Sequence, residues 1–187
     1  YYTSIDPDVQ KQLQSSVDNA LSGYTEKDKN GIYKTQASGT CIDNDTGKVV
    51  AIVGGREQKN IGYTLNRAFQ SPRQPGSAIK PLLVYAPALE HGWSAGSTVN
   101  DSPMSTKDKN RVRNSHGSYS GQISLRRAVQ KSSNVATMRI YEQLTPKTCL
   151  KYLEEMNFKY LTDSDYKYYT TCIGGFTKGT TIRREWQ

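Results

Sequence analysis

The chain has 187 residues, a formal net charge of +8 at pH 7 and 35% hydrophobic residues, enough for about one domain with a hydrophobic core. No run of about 18 apolar residues occurs and the N-terminus lacks a signal-peptide pattern, so we predict no membrane span within the chain. The basic residues are scattered and do not alternate with aromatic ones, so we expect no nucleic-acid partner. We interpret the charge as a solubilising surface, which would also suit an anionic cell wall or membrane surface.

The cysteines and histidines do not suggest a metal or redox centre. Cys41, Cys149 and Cys172 lie far apart without Cys-x-x-Cys spacing, and the two histidines have no Cys or His at a metal-binding interval. The odd number of cysteines leaves at least one thiol free in a monomer or paired between chains. No complete glycine-rich phosphate motif occurs either. We therefore expect no metal ion and no organic cofactor.

Hydrophobic periodicity and turn signals predict an α+β fold in which a hairpin is followed by helices. The first helix is predicted over residues 6–21, because Pro7 suits the first helical position and Gly23 follows the last apolar residue. The remaining predicted elements are an antiparallel hairpin over 36–42 and 48–53, a helix beginning near Ser77, a loop-like stretch over 93–123, and helices at 124–130, 135–143 and 146–156.

Ser77 and Lys80 form the most informative pair in the chain. They are three residues apart at the start of an apolar helical pattern, so the lysine amine can reach the serine hydroxyl. A serine needs a nearby base to act as a nucleophile, and a lysine is such a base only when its surroundings keep part of it neutral. We predict that Ser77 lies at the N-terminus of a buried helix, where backbone N–H groups favour developing negative charge.

The same spacing recurs at Ser164 and Lys167, in a polar, tyrosine-rich stretch without a helix start, and we interpret this second pair as chance. The first pair differs because Pro75-Gly76 is a turn signal and an apolar helical stripe follows it. The alternative for Ser77 is an ordinary N-cap, with Lys80 in solvent one turn later.

The surrounding segments carry a resemblance to a known family. In chain order they are Tyr2 to Pro7, Gly47 to Arg56, Leu65 to Gln70, Arg73 to Pro81, Val99 to Pro103, Asn114, Gly121 to Val129 and Ser132 to Asn134. Together they closely resemble the transpeptidase domain of class A penicillin-binding proteins over about residues 2 to 181, where Ser-x-x-Lys carries the nucleophile.

A second motif, Ser132-x-Asn134, matches the one that the family places on a loop between two helices, facing the nucleophile. The resemblance implies that Ser132 shuttles a proton between Lys80 and the leaving amine. It implies that Asn134 offers its amide to the substrate backbone and orients the lysine. The alternative is that Ser132, Ser133 and Asn134 only cap the second helix.

The family's third motif, Lys-Thr/Ser-Gly on a strand, is missing. Thr177-Lys178-Gly179-Thr180 has similar residues in another order, and after Thr181 the resemblance stops. We therefore expect a C-terminally incomplete transpeptidase domain over residues 36–187, preceded by a leading segment and N-terminal helix over 1–35. Such a chain would lack half of its oxyanion hole and be catalytically incomplete by itself. Its hairpin edge could pair with the missing C-terminal segment or with another chain.

By resemblance, the function is that of a serine-type D-alanyl-D-alanine transpeptidase that cross-links peptidoglycan stem peptides and is acylated by β-lactams. The parent protein would be membrane-anchored and act at the extracytoplasmic face of the bacterial cell membrane. Two alternatives remain: a serine hydrolase of the β-lactamase or carboxypeptidase type, and a non-catalytic β-lactam sensor or wall-binding module.

Overall fold

The computed structural model describes residues 2–57, 64–105 and 111–181. The chain divides into two compact units, one formed by Tyr1–Arg73 with Thr180–Gln187 and the other by Gln74–Gly179. The domain boundary predicted between residues 35 and 36 stays a prediction. Residues 182–187, where the sequence departs from the resembling family, lie outside the described residues. None of the described helices is long and apolar enough to span a lipid bilayer.

The first unit contains the predicted helix and hairpin, and the helix packs on the hairpin. Helix α1 (Pro7–Ala20) begins after Asp6, whose carboxylate accepts hydrogen bonds from two N–H groups of the first turn. Strands β1 (Gly39–Ile42) and β2 (Val49–Val53) pair antiparallel. Gln10 ties α1 to β2, because its side-chain amide donates to the carbonyl of Ile52 and accepts from the N–H of Ile52. A short helix, α2 (Arg67–Gln70), completes the described helices of this unit.

The second unit holds most of the helices and the largest buried core. Its elements in chain order are a 3₁₀ turn (Gly76–Ile79), a π turn (Pro81–Tyr85), α3 (Ala86–Glu90), β3 (Thr98–Asp101), β4 (Met104–Ser105), β5 (Arg111–Val112), β6 (Gly121–Ser124), α4 (Leu125–Gln130), α5 (Asn134–Leu144), α6 (Pro146–Glu155), α7 (Asp163–Lys167) and a second 3₁₀ turn (Tyr169–Ile173). Helix α5 packs against β3, α6, the π turn and the second 3₁₀ turn. Its side chains Met138, Ile140 and Tyr141 are fully buried.

The helices predicted at 124–130, 135–143 and 146–156 are confirmed as α4, α5 and α6. Two of their N-caps carry hydroxyl side chains, which are favoured at this position. The Ser124 hydroxyl accepts from the N–H of Arg127, and the Thr145 hydroxyl accepts from the N–H of Thr148.

The segment after Pro75 does not form the regular helix that the sequence predicts, and Ser77 is not its N-cap. Ser77 lies inside the 3₁₀ turn, where its carbonyl accepts from the N–H of Lys80. Pro81 gives the reason: it has no N–H to donate to the Ser77 carbonyl, and its ring would clash with that carbonyl in a regular helix. The π turn then follows, with the N–H of Ala86 donating to the carbonyl of Pro81.

The sequence predicts a loop over residues 93–123, but short strands form in this stretch. Strand β3 pairs antiparallel with β6, and β4 pairs with β5. Each is at most four residues long, too short to give an alternating pattern against the Ser-, Asn- and Gly-rich background. The pairing brings Asp101 opposite Gly121 and sets the position of the residues behind the candidate site.

Candidate active site

Lys80 is the centre of the candidate site. Its side chain is only 1% exposed although it is a lysine, and its ammonium group has three hydrogen-bond partners. Nζ donates to the carbonyl of Ser132 at 2.7 Å and to Oδ1 of Asn134 at 2.7 Å, and it lies 3.1 Å from Oγ of Ser132. The structure therefore brings Lys80 together with both residues of the second motif, more than fifty positions further along the chain.

Burial lowers the pKa of Lys80 from 10.5, the ordinary value, to about 8. A thiolate at Cys172 would oppose this shift, but burial raises the pKa of that thiol far above neutral. The thiol is thus uncharged near pH 7 and gives the ammonium no counter-charge. A measurable fraction of Lys80 is then neutral at physiological pH, which is what a general base requires.

The three partners of Lys80 differ in what they can do when the amine loses a proton. The Ser132 carbonyl and Oδ1 of Asn134 are acceptors only, so they hold the amine in the same place in both of its charge states. The Ser132 hydroxyl can donate as well as accept. It can therefore reverse its bond and take a proton from Lys80 or return one.

Ser77 is exposed and is the second residue of the 3₁₀ turn Gly76–Ile79, which ends at Lys80. Among the described residues the Ser77 hydroxyl forms no hydrogen bond. The oxygen atoms that accept hydrogen bonds from Lys80 belong to the Ser132–Asn134 loop. The structure thus places Ser77 and Lys80 on one turn without a direct bond between their side chains.

The turn before Ser77 is fixed by a close approach between two glycines. A Cβ on Gly174 would lie 2.2 Å from the Cα and the carbonyl oxygen of Gly76, and both residues have positive φ angles, 92° and 58°. The Gln74 side chain also donates to the carbonyl of Phe176 at 3.0 Å. The stretch from Gly174 to Phe176 therefore supports the backbone that leads into Ser77.

Ser132 has an unusual backbone. It follows the last turn of α4 with φ at 48°, in the left-handed region that favours glycine. The N–H groups of Ser132 and Ser133 donate back to the carbonyls of Val129 and Ala128, the bonding pattern of a Schellman motif. This turn points the Ser132 carbonyl and hydroxyl at Lys80.

The alternative that Ser132, Ser133 and Asn134 only cap a helix holds for Ser133 alone. Ser133 is the N-cap of α5, with its hydroxyl accepting from the N–H of Ala136 at 3.0 Å. Ser132 and Asn134, on either side, bond to Lys80 instead. The Nδ2 group of Asn134 donates to the carbonyl of Arg113 at 2.9 Å, which fixes the orientation of its amide.

The second Ser-x-x-Lys pair lies in a short helix, α7, which corrects the expectation that no helix starts there. Thr162 and Asp165 form a capping box at its start. Lys167 is exposed, however, whereas Lys80 is buried. The pair Ser77 and Lys80 therefore differs from the pair Ser164 and Lys167 in the burial of its lysine, and not in its helical spacing.

The sequence indicates no role for the buried residues Asp101 and Asn114 behind the loop, and only a helix cap for Ser133. Asp101 and Asn114 appear among the family-like segments, but their side chains meet only through long-range strand pairing. The scrambled motif around Lys178 also has a structural role: the Thr177 hydroxyl and N–H both donate to the buried carboxylate of Asp165.

Comparison with known proteins identifies the family. The family model described as the penicillin binding protein transpeptidase domain matches residues 37–174. The chain belongs to this family. It is 38% identical over 169 residues to penicillin-binding protein 1A of Clostridium perfringens, covering 83% of this chain and 25% of that protein. It is 33% identical over 181 residues to penicillin-binding protein 4 of Bacillus subtilis, covering 96% of this chain and 27% of that protein.

The fold is also that of a solved penicillin-binding protein. PonA1 of Mycobacterium tuberculosis, in complex with penicillin V, superposes with a TM-score of 0.73 at 22% identity, covering 98% of this chain and 48% of that one. The predicted resemblance and the predicted α+β class are thereby confirmed. The chain spans about a quarter of the length of the curated relatives described here.

Proposed function

We propose that this chain carries the acyl-transfer site of a peptidoglycan transpeptidase, with Ser77 as nucleophile and Lys80 as its base. The observation that carries the proposal is the buried amine of Lys80, with its pKa lowered to about 8 and held by Ser132 and Asn134. A buried lysine without a carboxylate partner is costly to fold, and the groups around it suit proton transfer.

In the proposed reaction, the Ser77 hydroxyl attacks the penultimate carbonyl of a D-alanyl-D-alanine stem peptide while its proton passes to Nζ of Lys80. A bond forms between Oγ of Ser77 and the carbonyl carbon, and the peptide C–N bond breaks. The leaving D-alanine takes a proton relayed through the Ser132 hydroxyl, which lies 3.1 Å from Nζ. The amine of a neighbouring stem peptide then attacks the acyl carbon, so a C–N bond forms and the ester bond to Oγ of Ser77 breaks. The proton that the amine loses passes through Lys80 to Ser77.

Asn134 has two roles in this scheme. Its Oδ1 orients the Lys80 amine, and Nδ2, which gives one N–H to Arg113, keeps a second N–H for the substrate backbone. β-Lactams would acylate the same serine, because their strained amide presents a similar carbonyl to the nucleophile. This extends to the present chain what is described for PonA1 with penicillin V.

The location of the activity follows from its substrate. Peptidoglycan stem peptides are cross-linked outside the cytoplasm, so we propose a membrane-anchored protein acting at the extracytoplasmic face. We also propose that the edges of the β1–β2 hairpin pair with further strands, from this protein or from another chain. A sheet of two strands is marginal by itself, and an uncovered edge invites association.

The test uses the full-length natural protein and a labelled penicillin. Peptide mass mapping should find the label on Ser77, and Ser77→Ala should remove it. Label on Ser164, or label retained in Ser77→Ala, would disprove the nucleophile. A thioester donor with and without an acceptor amine then separates the activities: transfer to the amine indicates a transpeptidase, hydrolysis alone indicates a hydrolase, and no turnover indicates a sensor.

A further inference from the structure

Behind the loop that bonds to Lys80 lies a cluster of three buried polar side chains, Asp101, Asn114 and Ser133. They are 0%, 3% and 0% exposed. Nδ2 of Asn114 donates to Oδ1 of Asp101 at 2.7 Å, and the Ser133 hydroxyl donates to the same oxygen at 2.8 Å. Buried polar groups are costly unless bonded, and each of these has at least two partners.

The cluster caps the N-terminus of helix α5. Oδ1 of Asn114 accepts from the N–H groups of Asn134 at 2.9 Å and Val135 at 3.2 Å, while the Ser133 hydroxyl accepts from the N–H of Ala136. The first three N–H groups of the helix, which have no partner within it, are therefore all bonded to side chains. Because the helix begins at Asn134, this capping also fixes the residue that carries one of the three hydrogen-bond partners of Lys80.

Asp101 orients both capping groups. A carboxylate only accepts, so Asn114 must turn Nδ2 toward it and Oδ1 toward the helix. For the same reason the Ser133 hydroxyl directs its hydrogen at Asp101 and leaves its lone pairs for Ala136. The second oxygen of Asp101 accepts from the N–H of Ser120 at 3.0 Å. No basic side chain forms an ion pair with Asp101 within the described ranges, so hydrogen bonds and the N-terminal end of α5 stabilise its charge.

From this arrangement we propose that Asp101 is a positioning residue for acylation, and the inference rests on the proposed function. Acting through Asn114 and Ser133, its carboxylate sets where the Ser132 and Asn134 acceptors lie relative to the Lys80 amine. Asp101 touches neither Lys80 nor the substrate in this scheme. Its loss displaces the loop and slows proton transfer in a protein that is still folded.

The test is Asp101→Asn in the full-length natural protein, assayed with a fluorescent penicillin. The acylation rate constant and the dissociation constant of the non-covalent complex are measured separately, well below the unfolding temperature. An amide at this position presents a donor to Nδ2 of Asn114 or to the N–H of Ser120, so the orientation of the cluster is lost. We expect the acylation rate constant to fall by about 10- to 100-fold, because small displacements of reacting groups have effects of this size. The dissociation constant should change by less than about threefold, since the loop still presents Asn134.

The double variant Asp101→Asn/Asn114→Asp is the rescue. The amide and the carboxylate exchange places, so a donor again faces an acceptor and an acceptor again faces the α5 N–H groups. Two bonds are not restored. One runs from Nδ2 of Asn114 to the carbonyl of Ser118 at 3.0 Å, and the other from the Ser133 hydroxyl to Oδ1 of Asp101, where the exchanged amide presents a donor. The hydroxyl can turn instead to the side-chain oxygen at position 114, 3.2 Å away. We therefore expect recovery to within about tenfold of the natural rate constant.

Asp165→Asn is the matched control. Asp165 is also a buried carboxylate, 1% exposed, and it accepts from the N–H and hydroxyl groups of Thr162 and Thr177. It has no recorded bond to the Ser132–Asn134 loop. Its substitution should lower the unfolding temperature and leave the acylation rate constant of the folded protein within about twofold.

A natural rate constant in folded Asp101→Asn would overturn the proposal, as would equal losses in Asp101→Asn and Asp165→Asn. If Asp101→Asn does not fold, Ser133→Ala and Ser133→Thr decide instead. The alanine should slow acylation and the threonine, which keeps the hydroxyl, should restore it; equal rates in the two would refute the inference. Failure of the proposed function is distinguishable, because then the unsubstituted protein itself would not be acylated at Ser77.

Discussion

The pH dependence of acylation should report the titration of the Lys80 amine. Burial lowers the pKa of Lys80 from 10.5 to about 8. At pH 7 about 10% of the amine is then neutral, against about 0.03% for an ordinary lysine, a gain of about 300-fold in active base. Because the neutral form accepts the Ser77 proton, the rate constant should rise about tenfold per pH unit below pH 8 and become level above it.

The assay is the acylation rate constant for a fluorescent penicillin between pH 5.5 and 10, with the full-length natural protein. Lys167→Met is the matched control, since Lys167 has the same spacing from a serine but is exposed, and its profile should be unchanged. A midpoint near 10.5 would show that Lys80 is solvated in the working enzyme. A profile without any dependence on pH would show that another group is the base.

Three further results are expected. Lys80→Arg should lose acylation at every pH in this range, because a guanidinium does not release its proton; folded protein with near-normal rates would make the lysine a structural residue. Ser132→Ala and Ser132→Gly should both slow acylation by about 10²–10⁴-fold. The free energy of unfolding of Ser132→Gly should exceed that of Ser132→Ala by about 1 kcal/mol, because φ at this position is 48°. Equal free energies of unfolding in the two variants would argue against backbone strain. Gly174→Ala should lose about 2–5 kcal/mol of stability through its clash with Gly76, whereas Gly23→Ala, with no heavy atom within 4 Å, should be tolerated; a stable, fully active Gly174→Ala would contradict the close approach.

Local signals predicted the elements whose ends they mark. Helices α1, α4 and α6 begin at side chains or prolines that the sequence displays, and the turn between β1 and β2 is rich in Asp, Asn and Gly. The meeting of Lys80 with Ser132 and Asn134 was predicted only by family resemblance, because neither spacing nor periodicity relates residues more than fifty apart.

The missed features depend on the folded chain. The 3₁₀ and π turns around Lys80 follow from Pro81, which cannot donate a backbone hydrogen bond to the Ser77 carbonyl. Hydrophobic periodicity gives no signal of this missing bond. Asp101 lies 13 residues from Asn114 and 32 from Ser133, so their cluster exists only after β3 pairs with β6. A buried Asp in a polar stretch gives no local signal of its burial.

Lys80 and Ser132 each occupy a state that is unfavourable for folding. The pKa of Lys80 is lower in the folded protein than in the unfolded chain, so a protonated Lys80 reduces stability by about 3 kcal/mol below pH 8. This loss disappears as the pH rises from about 8 to 10.5, because the unfolded chain then binds the extra proton. Ser132 adds about 1–2 kcal/mol through its left-handed backbone. An apolar side chain in place of Lys80 and a glycine in place of Ser132 would avoid both losses of stability without a change of fold. That the two residues bond to each other is best explained by chemistry, since an amine that must lose and regain a proton near neutral pH needs burial and a hydroxyl held against it.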